Sequence, residues 1–196
     1  MPTGVHLRDV REQLFGAAER LLAEGGPSAL TSRAVTAEAG VAKGVLHRHF
    51  DDFDAFLAEF VLDRVNKMDA RAEALLNAAG SGSVVDNLAE AITAVFGSVA
   101  VAIVALVTFR DDLRRRLRET WPAGVPVLTD AAIMIRNYLE RERELGRVGG
   151  VDPDGAAPML IGTGHLLFAD REAPPSADAV RRMVASVVAP DLDKND

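Results

Sequence analysis

TSRAVTAEAGVAKGVLHRHF, residues 31–50, decides how this chain reads. The pattern predicts two short helices joined by a tight turn, one from about Thr31 to Ala39 and one from about Ala42 to His49. Gly40 supplies the turn, because glycine takes positive φ without a steric penalty. Thr31 or Ser32 is placed to cap the first helix. Ala34, Val35 and Ala39 are expected to pack inward, as are Leu46 and Phe50, four apart on the second helix. That leaves Lys43, Val45, His47 and Arg48 on the outer face. A short basic and polar helix set against another by a glycine turn is the geometry that enters a DNA major groove. Gly44, inside the second helix, costs about 1 kcal/mol relative to alanine, which close backbone approach to DNA would explain.

Upstream, Leu7, Val10, Leu14, Ala17, Ala18 and Leu21 keep three- and four-residue steps and form one apolar helical face. Gly25-Gly26-Pro27 should end that helix. Arg8 and Arg11, near its start, are either solvated surface charge or phosphate contacts.

The 196 residues suffice for one large or two small domains, and 48% hydrophobic content supports a sizeable core. The chain has no cysteine, which excludes disulfides and thiolate metal sites and fits a cytoplasmic location. The start, MPTGVHLRDVREQL, has no apolar segment of the kind a signal peptide carries. The longest apolar run, Val99 to Val107, is far below the roughly 20 residues that span a bilayer. Net charge is −7, which opposes nucleic-acid binding. The acid is unevenly placed, however. Residues 1–50 hold six basic and five acidic residues, a balance of +1, and the remainder carries the deficit. A balance of +1 implies modest non-specific affinity for DNA.

Leu7 to Leu57 resembles the DNA-binding domain of the TetR family of transcriptional repressors. The resemblance rests on an ordered set: Arg11, Ala17-Ala18, Gly26, Thr31, Ala39-Gly40-Val41, Lys43-Gly44, Leu46 and His49-Phe50. It implies an all-α fold. An N-terminal three-helix helix-turn-helix domain, residues 1–51, would precede a larger helical ligand-binding and dimerisation domain, residues 52–196. It implies DNA contacts by Thr31, Ser32, Arg33, Ala42, Lys43, Gly44, Val45, His47, Arg48 and His49. Lys43 is the best candidate for a base or phosphate contact, and Val45 could meet a thymine methyl. Several positions depart from the family's pattern. Ala42 stands where serine or threonine is usual, Val45 where threonine or serine is frequent, and His47 where a phosphate-touching tyrosine is usual. After Phe50 the family usually reads Pro-Ser-Lys, whereas this chain reads Asp51-Asp52-Phe53. A cation is replaced by a hydrophobe among acids. Asp51 or Asp52 suits the cap of the next helix, and both would repel DNA.

From Phe53 a stripe through Phe56, Leu57, Phe60, Val61, Val65, Met68, Ala72, Leu75 and Leu76 predicts one helix of about 27 residues, roughly 40 Å long. Such a rod would cross from one domain into the other, and a ligand favouring one tilt would respace two reading helices. Gly80-Ser81-Gly82-Ser83 breaks it. Val84 to Phe109 comes next as apolar helix, fully apolar over Val99–Val107, with a buried strand as the competing reading there. Arg110 to Glu119 is a charged surface turn or short helix, its arginines paired with Asp111, Asp112 and Glu119. Leu128 to Leu145 is a helix with Ala132, Ile135, Tyr138 and Leu139 inward and Arg141-Glu142-Arg143-Glu144 outward.

Two amphipathic helices close the chain, Ala156 to Ala169 and Ser176 to Ala189. They either close the monomer's core or pair with a second copy. TetR-like proteins dimerise through such a pair, which would make Leu160, Ile161, Gly164, Leu167, Phe168, Val180, Met183, Val184 and Val187 the dimer interface. Candidate lining of a ligand cavity is Met68, Phe96, Ile103, Phe109, Trp121, Met134, Tyr138 and His165, which suits a small hydrophobic ligand.

Nothing in the sequence supports catalysis or a cofactor. His47 and His49 diverge by roughly 200° on a helix and cannot share a metal. No P-loop, dinucleotide fingerprint or nucleophile elbow is present. The function implied is a ligand-responsive regulator, in the repressor sense. It would bind a pseudo-palindromic double-stranded operator as a homodimer, away from membranes, and be released by a small molecule. The alternatives are a helical small-molecule binding protein with weakened DNA binding, and an all-α enzyme using Asp111, Asp112 or His165.

Overall fold

The computed structural model describes residues 3–97, 99–121, 124–170 and 172–188, with side chains from residue 10. Leu7 and Arg8 therefore lie outside the described side chains. Every regular element among the described residues is helical, and no strand occurs. The chain divides into two compact units. One comprises residues 1–64 and 102–126, the other residues 65–101 and 127–196. A boundary at 51/52 would part the reading helices from the helix after them. The compact unit that holds the reading helices runs on to Arg64 and takes in residues 102–126.

In the first unit, α1 (Thr3–Gly25) leads through a single 3-10 turn to α2 (Ser32–Glu38). Thr31 caps α2, its Oγ1 accepting from the Ala34 N–H at 3.1 Å. The helix ends where Gly40 takes φ +68°. The Val41 N–H returns to the Thr36 carbonyl at 3.0 Å and the Gly40 N–H to the Ala37 carbonyl at 3.1 Å, closing the two bonds of a Schellman motif. After it, α3 covers only Val45–His49. Ala42 to Gly44 form a turn rather than the helix start expected there, and Gly44 itself has ordinary helical dihedrals with open space around it.

α4 (Phe53–Asn66) completes the N-terminal bundle. Its core is aromatic. The Phe50 and Phe56 rings meet edge-on at 5.1 Å, and Phe15 lies within 6.1 Å of Phe50, Phe56 and Phe60. Leu14, Ala17, Ala18, Leu22, Val35, Leu46 and Leu57 fill the space around them with no exposure. Leu22, rather than Leu21, carries the last apolar contact of α1. Also in this unit are most of α7 (Ala100–Phe109) and all of α8 (Asp111–Thr120), which buries Leu113 and Leu117.

The second unit contains α5 (Asp69–Asn77), α6 (Val84–Phe96), α9 (Pro126–Glu144), α10 (Pro153–Leu167) and α11 (Ala177–Val188). The long rod expected from Phe53 is thus two helices. It breaks at Lys67-Met68, where the Met68 N–H turns back to the Val65 carbonyl at 2.8 Å. α6, α10 and α11 pack on one another through Leu88, Ile92, Phe96, Leu160, Ile161, Val180 and Val184. Gly164 makes this possible: a Cβ there would stand 2.8 Å from the Phe96 ring and 3.2 Å from Ile92.

One side chain expected to face outward does not. Glu142 is 0% exposed. Its carboxylate accepts from the Gly80 N–H at 3.1 Å and pairs with Arg147 at 3.0 Å. Burying a carboxylate costs several kcal/mol unless it is paired and hydrogen-bonded; the Gly80 bond and the Arg147 ion pair offset part of that cost, while Oε2 accepts no hydrogen bond of its own.

Candidate nucleic-acid interface and ligand cleft

The Schellman turn and Phe50 fix how α3 is presented. Leu46 and Phe50 are buried, which orients the five-residue helix about its axis. His47 and Arg48 are left exposed, with Val45 and His49 half-buried beside them. Ala42, Lys43 and Gly44, in the preceding turn, are exposed too, as are Thr31 and Arg33 on α2, while Ser32 is half-buried. All ten sequence-expected contact residues therefore lie on α2, α3 and their connection, none of them buried. Arg33, Lys43 and Arg48 have no ion-pair partner among the described residues. Unpaired, solvated cations lose least when a phosphate takes the place of water.

Arg11 does the opposite. Its guanidinium lies 4.5 Å from the Phe50 ring centroid, donates to the His49 carbonyl at 3.3 Å and pairs with Glu59. One side chain thereby holds α1, the end of α3 and α4 together. Arg20 adds a 2.7 Å bond to Glu38 on α2. These are positioning contacts; of the two arginines the sequence left open, Arg11 is engaged within the protein, and Arg8 lies outside the described side chains.

The acids after α3 are also engaged. Asp52 Oδ1 accepts from the Ala55 N–H at 2.7 Å, capping α4, and Oδ2 meets Arg116 at 2.7 Å. Asp54 accepts two bonds from Arg110, at 2.8 and 3.0 Å. Phe53 stacks on Phe56 at 5.7 Å, with the Arg110 guanidinium 5.7 Å from its ring. Arg114 and Arg115 pair within α8 to Asp111 and Asp112, as expected, but Arg110 and Arg116 reach out of their helix. Sequence spacing could not find these partners, which lie 56 and 64 residues apart.

The eight residues proposed to line a ligand cavity are divided between the two units. Ile103, Phe109 and Trp121 belong to the first unit; Met68, Phe96, Met134, Tyr138 and His165 belong to the second. Met68, Phe96, Ile103, Met134 and Tyr138 are packed core, and Phe109 is 83% exposed. His165 is half-buried, 6.0 Å from the Phe96 ring. The second unit instead has a cleft of about 280 Å³ between α5 and α6. It is lined by Arg71, Ala74, Leu75, Ala78, Asn87, Glu90, Ala91 and Ala94. Alanines gave no signal in the sequence, because small residues read as filler on either face of a helix.

Asn87 ties this cleft to the interior. Its amide donates to the Tyr138 hydroxyl at 2.9 Å and to the Ser81 carbonyl at 3.0 Å. Burial pushes the Tyr138 phenol up to about 12; the Asn87 hydrogen bond opposes the rise and Glu142 reinforces it.

The residues expected at a dimer interface divide by burial. Leu160, Ile161, Gly164, Phe168, Val180 and Val184 are buried within one copy, in the second unit's own core. Leu167, Met183 and Val187 are half-buried. Helical spacing marks an apolar face but not what it faces. The large apolar residues left to solvent on α10 are Met159 and Leu166, one either side of Gly162 and Thr163.

Among the described residues no group of three or more histidines and carboxylates could hold a metal, and no single helix is long and apolar enough to cross a membrane. Asp111 and Asp112 pair with Arg114 and Arg115.

These features define an all-α protein whose N-terminal unit is a helix-turn-helix with an exposed, cationic second helix. Residues 14–60 match the family of bacterial regulatory proteins described as the tetR family. No curated protein sequence matches the chain. Solved structures do. The reduced form of NemR from E. coli superposes with a TM-score of 0.72 at 19% identity, over 91% of this chain and 95% of that one. A Rhodococcus transcriptional regulator gives 0.70 at 21%, over 90% and 95%. FadR from Bacillus subtilis, in complex with stearoyl-CoA, gives 0.67 at 17%, over 91% and 97%. At such identities the likeness establishes the fold.

Proposed function

We propose that this chain is a ligand-responsive transcriptional regulator, acting as a repressor on a pseudo-palindromic operator. The observation that carries the reading is the outward face of residues 42–48, where Lys43 and Arg48 have no ion-pair partner among the described residues and the scaffold beneath is fully packed. Lys43 and Arg48 meet phosphate or base edges, Val45 meets a thymine methyl, and Thr31, Ser32, Arg33 and His49 position the backbone. His47 takes the place of the family's tyrosine.

The regulator works as a homodimer, because two reading helices on a two-fold axis match a two-fold operator. Its interface is the solvent face of α10 and α11, with Met159 and Leu166 joined by Leu167, Met183 and Val187. The effector occupies the α5–α6 cleft. A space of about 280 Å³ lies just below the usual range of roughly 300–1,000 Å³ for small-molecule sites. It suits a compact apolar body with one polar group for Asn87, rather than an acyl-CoA of the kind bound by the Bacillus subtilis FadR structure. The effector shifts the protein only if it binds the DNA-competent and DNA-incompetent states unequally.

The test is a selection of genomic fragments by the purified protein at low salt. Retained fragments should share an inverted repeat. Retention of none would favour the alternative of a small-molecule binding protein that no longer reads DNA.

A further inference from the structure

The acids at the start of α4 sit at the edge of the proposed DNA-reading face. The balance of +1 over residues 1–50 becomes −2 once Asp51, Asp52 and Asp54 are included. A segment with that balance would repel a duplex. Two of the three carboxylates nevertheless have a dedicated arginine, one from the head of α8 and one from within it.

We propose that α8 supplies built-in counter-ions to the DNA-reading element: Arg116 to Asp52 and Arg110 to Asp54. The proposal rests on the regulator reading above. Three observations support it. α8 is anchored by Leu113 and Leu117, so its outward arginines are delivered from a fixed helix within the same compact unit. The neighbouring Arg114 and Arg115 spend their charge on Asp111 and Asp112, so the division of labour along the helix is specific. Arg110 also covers the face of Phe53, the residue that stands where the family carries a phosphate-binding lysine. The cation lost from the head of α4 is returned from elsewhere in the chain. It masks acids there instead of reaching phosphate. Arg110 and Arg116 are positioning residues in this scheme and touch no DNA.

Operator affinity of the full-length protein, by fluorescence anisotropy at 50 and 200 mM salt on a fragment retained in the selection, tests this. Arg116→Gln should weaken binding about three- to tenfold at the lower salt and by less at the higher, because exposed charges are screened by salt. Asp52→Asn keeps the α4 cap, since asparagine caps as well as aspartate. The double variant Asp52→Asn/Arg116→Gln should therefore recover wild-type affinity within about twofold. Arg116→Lys, which keeps the charge, should bind like wild type even if Arg116→Gln proves too unstable to assay. Unchanged affinity in a folded Arg116→Gln would overturn the proposal. So would a double variant no better than Arg116→Gln, because that result places Arg116 on phosphate or in a purely structural role. A wild-type protein that retains no DNA defeats the regulator reading itself, before any variant is compared.

Discussion

The two units are held together by different chemistry. In the first, five phenylalanines form a connected cluster, and guanidinium groups cap it. Arg11 lies on Phe50, Arg64 on Phe60 and Arg110 on Phe53, each also bound to a carboxylate. In the second, the core is mainly aliphatic and organised around one buried polar network, Asn87–Tyr138 and Gly80–Glu142–Arg147. Rings with peripheral cations tolerate wet edges, because the charge stays near solvent while the stem and ring pack. A buried carboxylate tolerates no missing partner. The first unit therefore rests on ring packing, and the second adds a buried ion pair to its aliphatic core.

The largest effect that could break this contrast comes from Phe56, which is fully buried against Phe15, Phe50 and Phe53. Phe56→Ala should destabilise the protein by about 3–5 kcal/mol in urea unfolding monitored by circular dichroism. A loss under about 1 kcal/mol, far short of that range, would mean the ring cluster is not the support described.

Next is Glu142→Ala, which strands the Gly80 N–H and removes the Arg147 partner. A loss of about 2–3 kcal/mol is expected by the same measurement, since an unsatisfied buried donor forfeits its full desolvation cost. A neutral outcome would show that water replaces the carboxylate. Gly164→Ala forces a methyl group onto Phe96 and Ile92 and should cost about 1–2 kcal/mol through overpacking. Thr31→Ala, on the first unit, should cost about 1 kcal/mol by removing the α2 cap.

The same network makes a prediction in pH. The chain has a single tyrosine, so phenolate absorbance near the ultraviolet edge reports Tyr138 alone. The folded pKa of about 12 lies above the unfolded value of about 10. The neutral phenol is favoured by the fold, so its contribution is fully present below about pH 10 and is lost as pH rises towards about 12. Ionisation near the unfolded value in the native protein would show that Tyr138 is open to solvent.

The α2–α3 element was legible because its signals are local. Thr31 and Gly40 act within five residues of themselves, and the capping bonds arise from backbone geometry. The break at Lys67-Met68 was not legible. Val65, Met68, Ala72 and Leu75 keep helical spacing straight through it, and no glycine or proline marks the turn. Glu142 was misplaced for a related reason. In the run RERE a carboxylate between two arginines reads as surface, and only its partners at Gly80 and Arg147 reveal the interior. The arginines of α8 read as a locally paired charged face. Half of that reading stands, in Arg114 and Arg115. The rest fails because Asp52 and Asp54 compete from more than fifty residues away.

Asp52 serves two masters with one carboxylate, Oδ1 on the Ala55 N–H and Oδ2 on Arg116. That limits what the position tolerates. Serine, threonine and asparagine satisfy the first duty but carry no charge for the second. Glutamate carries the charge, but its longer stem caps a helix poorly. Among the natural side chains aspartate alone meets both demands, so a saturation library at this position should sort into two incomplete classes and a single complete solution.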